Sequence, residues 1–274
     1  VRNLIGEGHD QLVDDMYSSN DGKLLIASRP SFVDVVAIDI ASGKIVWRFE
    51  VEGYRADHMG LSPDGTKVAV SASTGNVVHV LDINTGKQLG KFASGNSPHE
   101  NVFSKDGSKI YHASIGYVFT PLDPNFFDWT KGERVFQVVD ANNYQVIKKF
   151  NMADKLKAAG FKNLSPAVRP MAHTPDEKFF YFQLSFLHGF VEYDMVNDKV
   201  TRLAKLPNLV PNMPLEQYVN DSAHHGISMN GAGTKLCVAG TMDDYVAIVD
   251  RANFNYQILK DLGKKPYWVT SNKT

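Results

Sequence analysis

The chain has 274 residues, 43% of them hydrophobic, with 29 basic against 30 acidic side chains for a formal net charge of -1. That is enough apolar content for one large core or one repeat array, and it excludes disorder and collagen-like structure. The balanced charge leaves no basic footprint for nucleic acid or an anionic membrane surface, and no apolar run approaches the roughly 20 residues of a spanning helix.

The chain opens VRNLIGEG, with neither an initiator Met nor an apolar signal core, which predicts a trimmed or processed amino terminus. From there one turn type recurs: SNDG at Ser19, SPDG at Ser62, SKDG at Ser104, TPDE at Thr174, SMNGAG at Ser228 and SNKT at Ser271. The first three are spaced by 43 and 42 residues. In SPDG, Pro presets φ at the second position, Asp tolerates the third and Gly supplies a positive φ. A second turn, opened by an Asp that ends a β-branched run, recurs at Asp39, Asp82, Asp140, Asp194 and Asp250. Between the two turns of Ala56–Lys87 lie the strand-like runs Lys-Val-Ala-Val-Ser and Asn-Val-Val-His-Val-Leu-Asp, and a short strand Gln88–Phe92 follows. Four strands and two marked turns make a propeller blade.

The expected fold is therefore all-β, a β-propeller of four-stranded blades, with residues 1–274 forming a single propeller domain. The turns mark five blades and the opening strand of a sixth. An open ring would leave unpaired strand edges, so a seven-bladed ring with one to two more blades beyond residue 274 is expected; the alternative is a five- or six-bladed ring closed by another segment.

Pro98–Ser114 (PHENVFSKDGSKIYHAS) and the Ala56–Lys87 unit resemble the YVTN-type repeats of seven-bladed propellers, whose pattern runs Pro-His-Gly, Ser-Pro-Asp-Gly, Val-x-Val-Ile-Asp, Thr. The resemblance extends to the quinoprotein amine dehydrogenase-like propellers and covers essentially the whole chain, although no blade carries the full YVTN tetrapeptide. It implies the fold and leaves the function open, because that group includes catalytic subunits, cofactor-handling proteins and surface-layer modules. It also implies a periplasmic or secreted location.

Extra residues fall at 115–134, 151–168 and 204–222, all on connections assigned to one face, here called the top. Long loops on a rigid scaffold commonly carry function. The first holds Tyr117, Phe119, Phe126, Phe127 and Trp129 and is expected to fold over a site as a lid. The second contains MADKLKAAGF, which predicts a short helix over Met152–Phe161 capped by Gly160. The third, with three prolines, reads as an ordered irregular crossing. The alternative for all three is a covered apolar rim or a docked partner subunit.

Counting back from each first turn places Asp15, His58 and Glu100 at the start of the first strand, with His99 beside Glu100; Arg169, His224 with His225, and Tyr267 with Trp268 are aligned to them. A ring of these side chains around the channel is expected, with His188 approaching from the rim. One reading is chemical: His58, His99 and His224 hold a divalent transition metal (Zn, Cu, Fe or Mn), or Asp15, His58, Glu100, Arg169, His224 and His225 share acid-base work on a small molecule. Arg169 would bind an anionic group and Phe126, Phe127, Trp129, His188 and Tyr267 would contact the ligand. The other reading is structural, because YVTN-like repeats often place His at this step to bridge blades. His79, His112 and His173, inside strands, are expected to be structural, and Cys237 to be a buried small residue. No nucleotide-binding glycine motif, nucleophile elbow, His-Glu-x-x-His or Cys-x-x-Cys occurs, so neither an intrachain disulfide nor covalent c-type haem is available. Two further functions stay open: a non-catalytic propeller that docks a protein, and a subunit of a redox complex.

Overall fold

The structure, a computed structural model, describes residues 13–117 and 129–271. Sheet one comprises β1 (Met16–Ser18), β2 (Leu24–Arg29), β3 (Asp34–Asp39) and β4 (Ile45–Glu50). Sheet two comprises β5 (Ala56–Leu61), β6 (Lys67–Ala72), β7 (Val77–Asp82) and β8 (Gln88–Ala93). Sheet three comprises β9 (Pro98–Phe103), β10 (Lys109–Ser114), β11 (Val135–Asp140) and β12 (Val146–Asn151). Sheet four comprises β13 (Val168–His173), β14 (Phe179–Leu184), β15 (Gly189–Asp194) and β16 (Lys199–Lys205). Sheet five comprises β17 (Ile227–Met229), β18 (Lys235–Gly240), β19 (Tyr245–Asp250) and β20 (Tyr256–Leu259). Each is an antiparallel meander, so all five four-stranded units expected from the turns are present. Middle strands such as β7 are buried nearly throughout, which is why they read as continuous Val/Ile/Leu runs, whereas the edge strand β4 leaves Ile45 and Val46 exposed.

The turns form for reasons that are local. In SPDG the Ser62 hydroxyl donates to Asp64 and accepts from the Lys67 N–H, while the Asp64 carboxylate takes the Thr66 N–H. Sheet five differs: its turn is Asn230–Gly233, not Ser228 onward, because the Asn230 side-chain oxygen alone accepts from the N–H groups of both Thr234 and Lys235. In the second turn the opening Asp accepts local N–H groups, as Asp82 does from Asn84 and Thr85. The residue four places on is left-handed in every case: Gly43, Gly86, Tyr144, Asp198 and Phe254.

Packing divides the chain into two compact units, residues 1–116 with 133–150 and residues 117–132 with 151–274. The first unit holds sheets one to three. Its core is layered between consecutive sheets: Ile26, Val35, Met59 and Val70 form one cluster, Val80, Phe92, Ile110 and Val139 another. β5 and β9 run side by side there, and a Cβ on Gly60 would lie 2.5 Å from the Asn101 carbonyl oxygen. Gly60→Val is therefore expected to cost about 1–3 kcal/mol by overpacking, read as a lowered urea midpoint.

The second unit holds sheets four and five, joined by a core of Tyr181, Phe190, Leu236, Tyr245 and Val249. A smaller cluster, Tyr218, Ala223 and Met242 with Val210 and Met213, gives the crossing between these sheets an apolar centre of its own. That crossing begins after Lys205, since Ala204 and Lys205 belong to β16, and it contains two short 3-10 turns. The expected helix is α1 (Met152–Ala158), with Asn151 as its N-cap, Ala159 as its C-cap and left-handed Gly160 one place later. Asn151→Ala should cost about 1 kcal/mol, measurable by thermal unfolding. Among the described residues no helix is long and apolar enough to cross a membrane.

Candidate functional site

In the first unit the starts of three first strands bring ionisable groups together. His58 Nδ1 lies 2.7 Å from Glu100 Oε2, on neighbouring strands whose close approach Gly60 permits. The His58 and His99 rings lie 3.8 Å apart, centre to centre. On the other side stand Asp14 and Asp57, hydrogen-bonded to each other. Arg55 reaches both, at 3.2 Å from Asp14 and 3.6 Å from Asp57, and the Ser73 hydroxyl donates to Asp57 at 2.5 Å. Asp15 accepts the Met59 N–H at 3.0 Å. His58, His99, Glu100, Asp14 and Asp57 are all buried.

Burial with so many neighbours redistributes the protons. Burial and the bond to Asp57 push the Asp14 carboxyl up; Asp57, although buried, is held down by Asp14, His58, Arg55 and Ser73. The two carboxyls therefore carry one proton between them. Burial likewise raises Asp15, to about 6, against the opposing pull of His58. Burial disfavours the charged form of His58, but the Glu100 bond and the charges of Asp14, Asp57 and Glu100 outweigh it and raise its pKa to about 9. His58 is thus an imidazolium at neutral pH, donating through Nδ1 to Glu100.

In the second unit a different group forms. His188 Nδ1 donates to Asp243 Oδ2 at 2.7 Å and His224 Nε2 donates to the same oxygen at 3.0 Å. The Tyr218 hydroxyl lies 2.9 Å from His188 Nε2, and Tyr245, which donates to the Pro207 carbonyl, lies 3.2 Å from His224 Nε2. Asp243 Oδ1 accepts the Leu209 N–H at 2.7 Å. Burial opposes the charge on Asp243, yet these donors hold its pKa at about 2; burial lowers that of His224 despite Asp243. Asp243 also lines a cavity of about 570 Å³, together with Leu209, Val210, Met242, Lys260 and Lys264.

The sequence-predicted residues are thus distributed between two groups. His58, His99, Glu100 and Asp15 come together in the first unit; His224 and His188 come together in the second, around Asp243. His225 stacks on Tyr267 at 3.7 Å, with Trp268 edge-on. Arg169 is buried, its Nε donating to Ser185 at 2.8 Å and its Nη2 standing 3.9 Å from Asp221, so it faces groups of its own unit. Counted from the observed turns, the position of Asp15, His58 and Glu100 is filled by Pro170 and Gly226. Arg169 and His225 stand one residue earlier, in register with Asp14, Asp57 and His99, and His224 two earlier, because the first turn of sheet five starts at Asn230. Phe126 and Phe127 lie outside the described residues. Trp129, at the edge of that segment, is 82% exposed. Cys237 is half-buried rather than buried. His112 is buried and bonded to Asn101, and His79 bridges Glu52 and Gln88.

Sequence reasoning missed Asp14, Asp57 and Arg55 in one group and Asp243, Tyr218 and Tyr245 in the other. Asp14 and Asp57 were within reach: they precede Asp15 and His58 by one residue at the same register of consecutive repeats. Asp243 had no such signal: the same four-residue connection occurs in sheets one, two and four, but Phe32, Gly75 and Leu187 stand at its place there. In each unit a triple offers one ligand atom apiece within 4.8 Å of one another: Asp14, Asp57 and His58, and His188, His224 and Asp243. No protein-family model and no curated protein sequence matches this chain.

Proposed function

We propose that the five sheets are blades of a seven-bladed YVTN-type propeller, and that the cluster of Asp14, Asp15, Asp57, His58 and Glu100 binds a small molecule and exchanges a proton with it. The repeated pairing of two turn types supports the fold reading. The observation that carries the function is His58 held 2.7 Å from Glu100 against a carboxyl pair that shares a proton. Ionisable groups with displaced pKa values gathered at one buried place are what general acid-base chemistry requires. Here Asp14 stores a proton, His58 can deliver one, and Glu100 keeps the imidazolium oriented. Four carboxyl groups against His58 and Arg55 favour a ligand that brings positive charge or hydrogen-bond donors, rather than the anion first expected from Arg169.

A divalent metal suits this cluster less well. The Arg55 guanidinium already reaches both carboxylates, and His58 would have to give up a tightly held proton before it could ligate. The reading is tested by a thermal-shift screen of small amines, amino acids and sugars at neutral pH on the wild-type protein and on Glu100→Gln and Asp14→Asn. A compound that stabilises the wild type and is lost in both variants supports it; ligands bound equally well by all three would refute it. The exposed indole of Trp129, with Tyr117 46% exposed nearby in sequence, favours a second reading in which this insertion docks a protein. Trp129→Ala would then abolish capture of that partner and leave small-molecule binding unchanged.

A further inference from the structure

We propose a second site, confined to the second unit: His188, His224 and Asp243 form a two-histidine, one-carboxylate centre for a divalent transition metal, reached from the cavity that Asp243 lines. The side chain of Asp243 has no exposed surface, and among the described residues no Lys or Arg pairs with it. Buried carboxylates are normally paired with a cation or bound to a metal, since an uncompensated buried charge is expensive. The first unit meets that demand with Arg55 and His58; among the described residues of the second, the ion pairs of Asp243 are with His188 and His224.

The geometry needs little adjustment. The three ligand atoms lie within 4.8 Å of one another, and the two nitrogens stand 2.7 and 3.0 Å from the carboxylate oxygen. A four-coordinate ion with bonds near 2.0–2.1 Å holds its ligand atoms about 3.3 Å apart, so a small outward movement admits it. Imidazole with carboxylate suits Zn, Fe, Co or Mn rather than Ca or Mg. The outer partners are in place: Leu209 N–H fixes the far oxygen of Asp243, and Tyr218 fixes the His188 ring. A metal-bound imidazole carries its N–H on the nitrogen turned away from the ion. In His188 that nitrogen is Nε2, which then donates to Tyr218; in His224 it is Nδ1, buried and without a hydrogen-bond partner among the described residues. Asp243 borders a cavity of about 570 Å³, also lined by Lys260 and Lys264, which puts open space beside the centre.

The test is a titration of chelator-treated full chain with Zn²⁺ by calorimetry and with Co²⁺ by visible absorption. One equivalent of each is expected, with Co²⁺ bands of a nitrogen-ligated site. His188→Ala and Asp243→Asn should weaken binding about 100-fold or more and Tyr218→Phe about 10-fold, whereas His58→Ala should leave it unchanged. Circular dichroism identifies any variant that fails to fold, and the wild-type Co²⁺ spectrum stands without them. No stoichiometric binding by the wild type, undiminished binding in folded His188→Ala, or loss confined to His58→Ala would each overturn the proposal.

Discussion

Between pH 6.5 and about 9 the first unit is expected to lose stability as the solution becomes more alkaline, because His58 titrates in the folded state at about 9 against an ordinary 6.5. The sign follows from proton linkage. A raised folded-state pKa means that the folded chain holds a proton the unfolded chain releases, so the stabilisation is complete below 6.5 and gone above about 9. A gap of that size is worth about 3 kcal/mol for a buried group. Asp15, raised to about 6 from 3.8, acts in the same direction at lower pH, so the loss begins before His58 contributes. Urea unfolding across this range should show a falling midpoint. Glu100→Gln removes the principal upward pull on His58 and should flatten the decline, and the His58 ring resonances should titrate well below those of the wild type. An unchanged alkaline slope in Glu100→Gln would show that Glu100 does not hold the proton.

The second large effect is expected at Asp243. Asp243→Ala removes the acceptor shared by His188, His224 and the Leu209 N–H, leaving three donors buried without it. Breaking a buried charged network by deleting one partner costs about 3–5 kcal/mol, to be read as a lowered urea midpoint in metal-free protein. Asp243→Asn keeps an acceptor for Leu209 but offers less to the histidines, so about 1–3 kcal/mol is expected. The network ties the crossing between sheets four and five, through Leu209, Pro207 and Tyr218, to His188 and to Tyr245. Limited proteolysis of Asp243→Ala should therefore cut within residues 206–222 sooner than in the wild type. Equal cleavage rates would mean that the apolar cluster around Met242 and Tyr218 suffices to hold this segment. At acid pH the same group makes a smaller contribution, with stability lost as pH falls from 3.8 through about 2.

The features legible in the amino-acid order are those governed by near neighbours. A Ser or Thr two residues before an Asp, or a lone Asn230, closes the first turn; an Asp five residues before a Lys, Gln or Asn closes the second; β-branched runs between them make the strands. Each depends on contacts within about one turn of chain, so four-stranded sheets with five repeats were legible, as was the helix after Asn151. The partners of the histidines, by contrast, follow from long-range packing. The Asp14–Asp57 and His58–Glu100 pairs join residues 43 and 42 positions apart on adjacent first strands, and His188 meets Asp243 across 55. Such contacts are set by how sheets pack, and a two-residue displacement of one turn, caused by Asn230, was enough to move His224 out of the register read from sequence and into a different group. Burial, finally, separated roles that look alike in sequence: His58 became charged among carboxylates, whereas His112, bonded to Asn101 in an otherwise apolar setting, is driven down to about 3 and stays neutral.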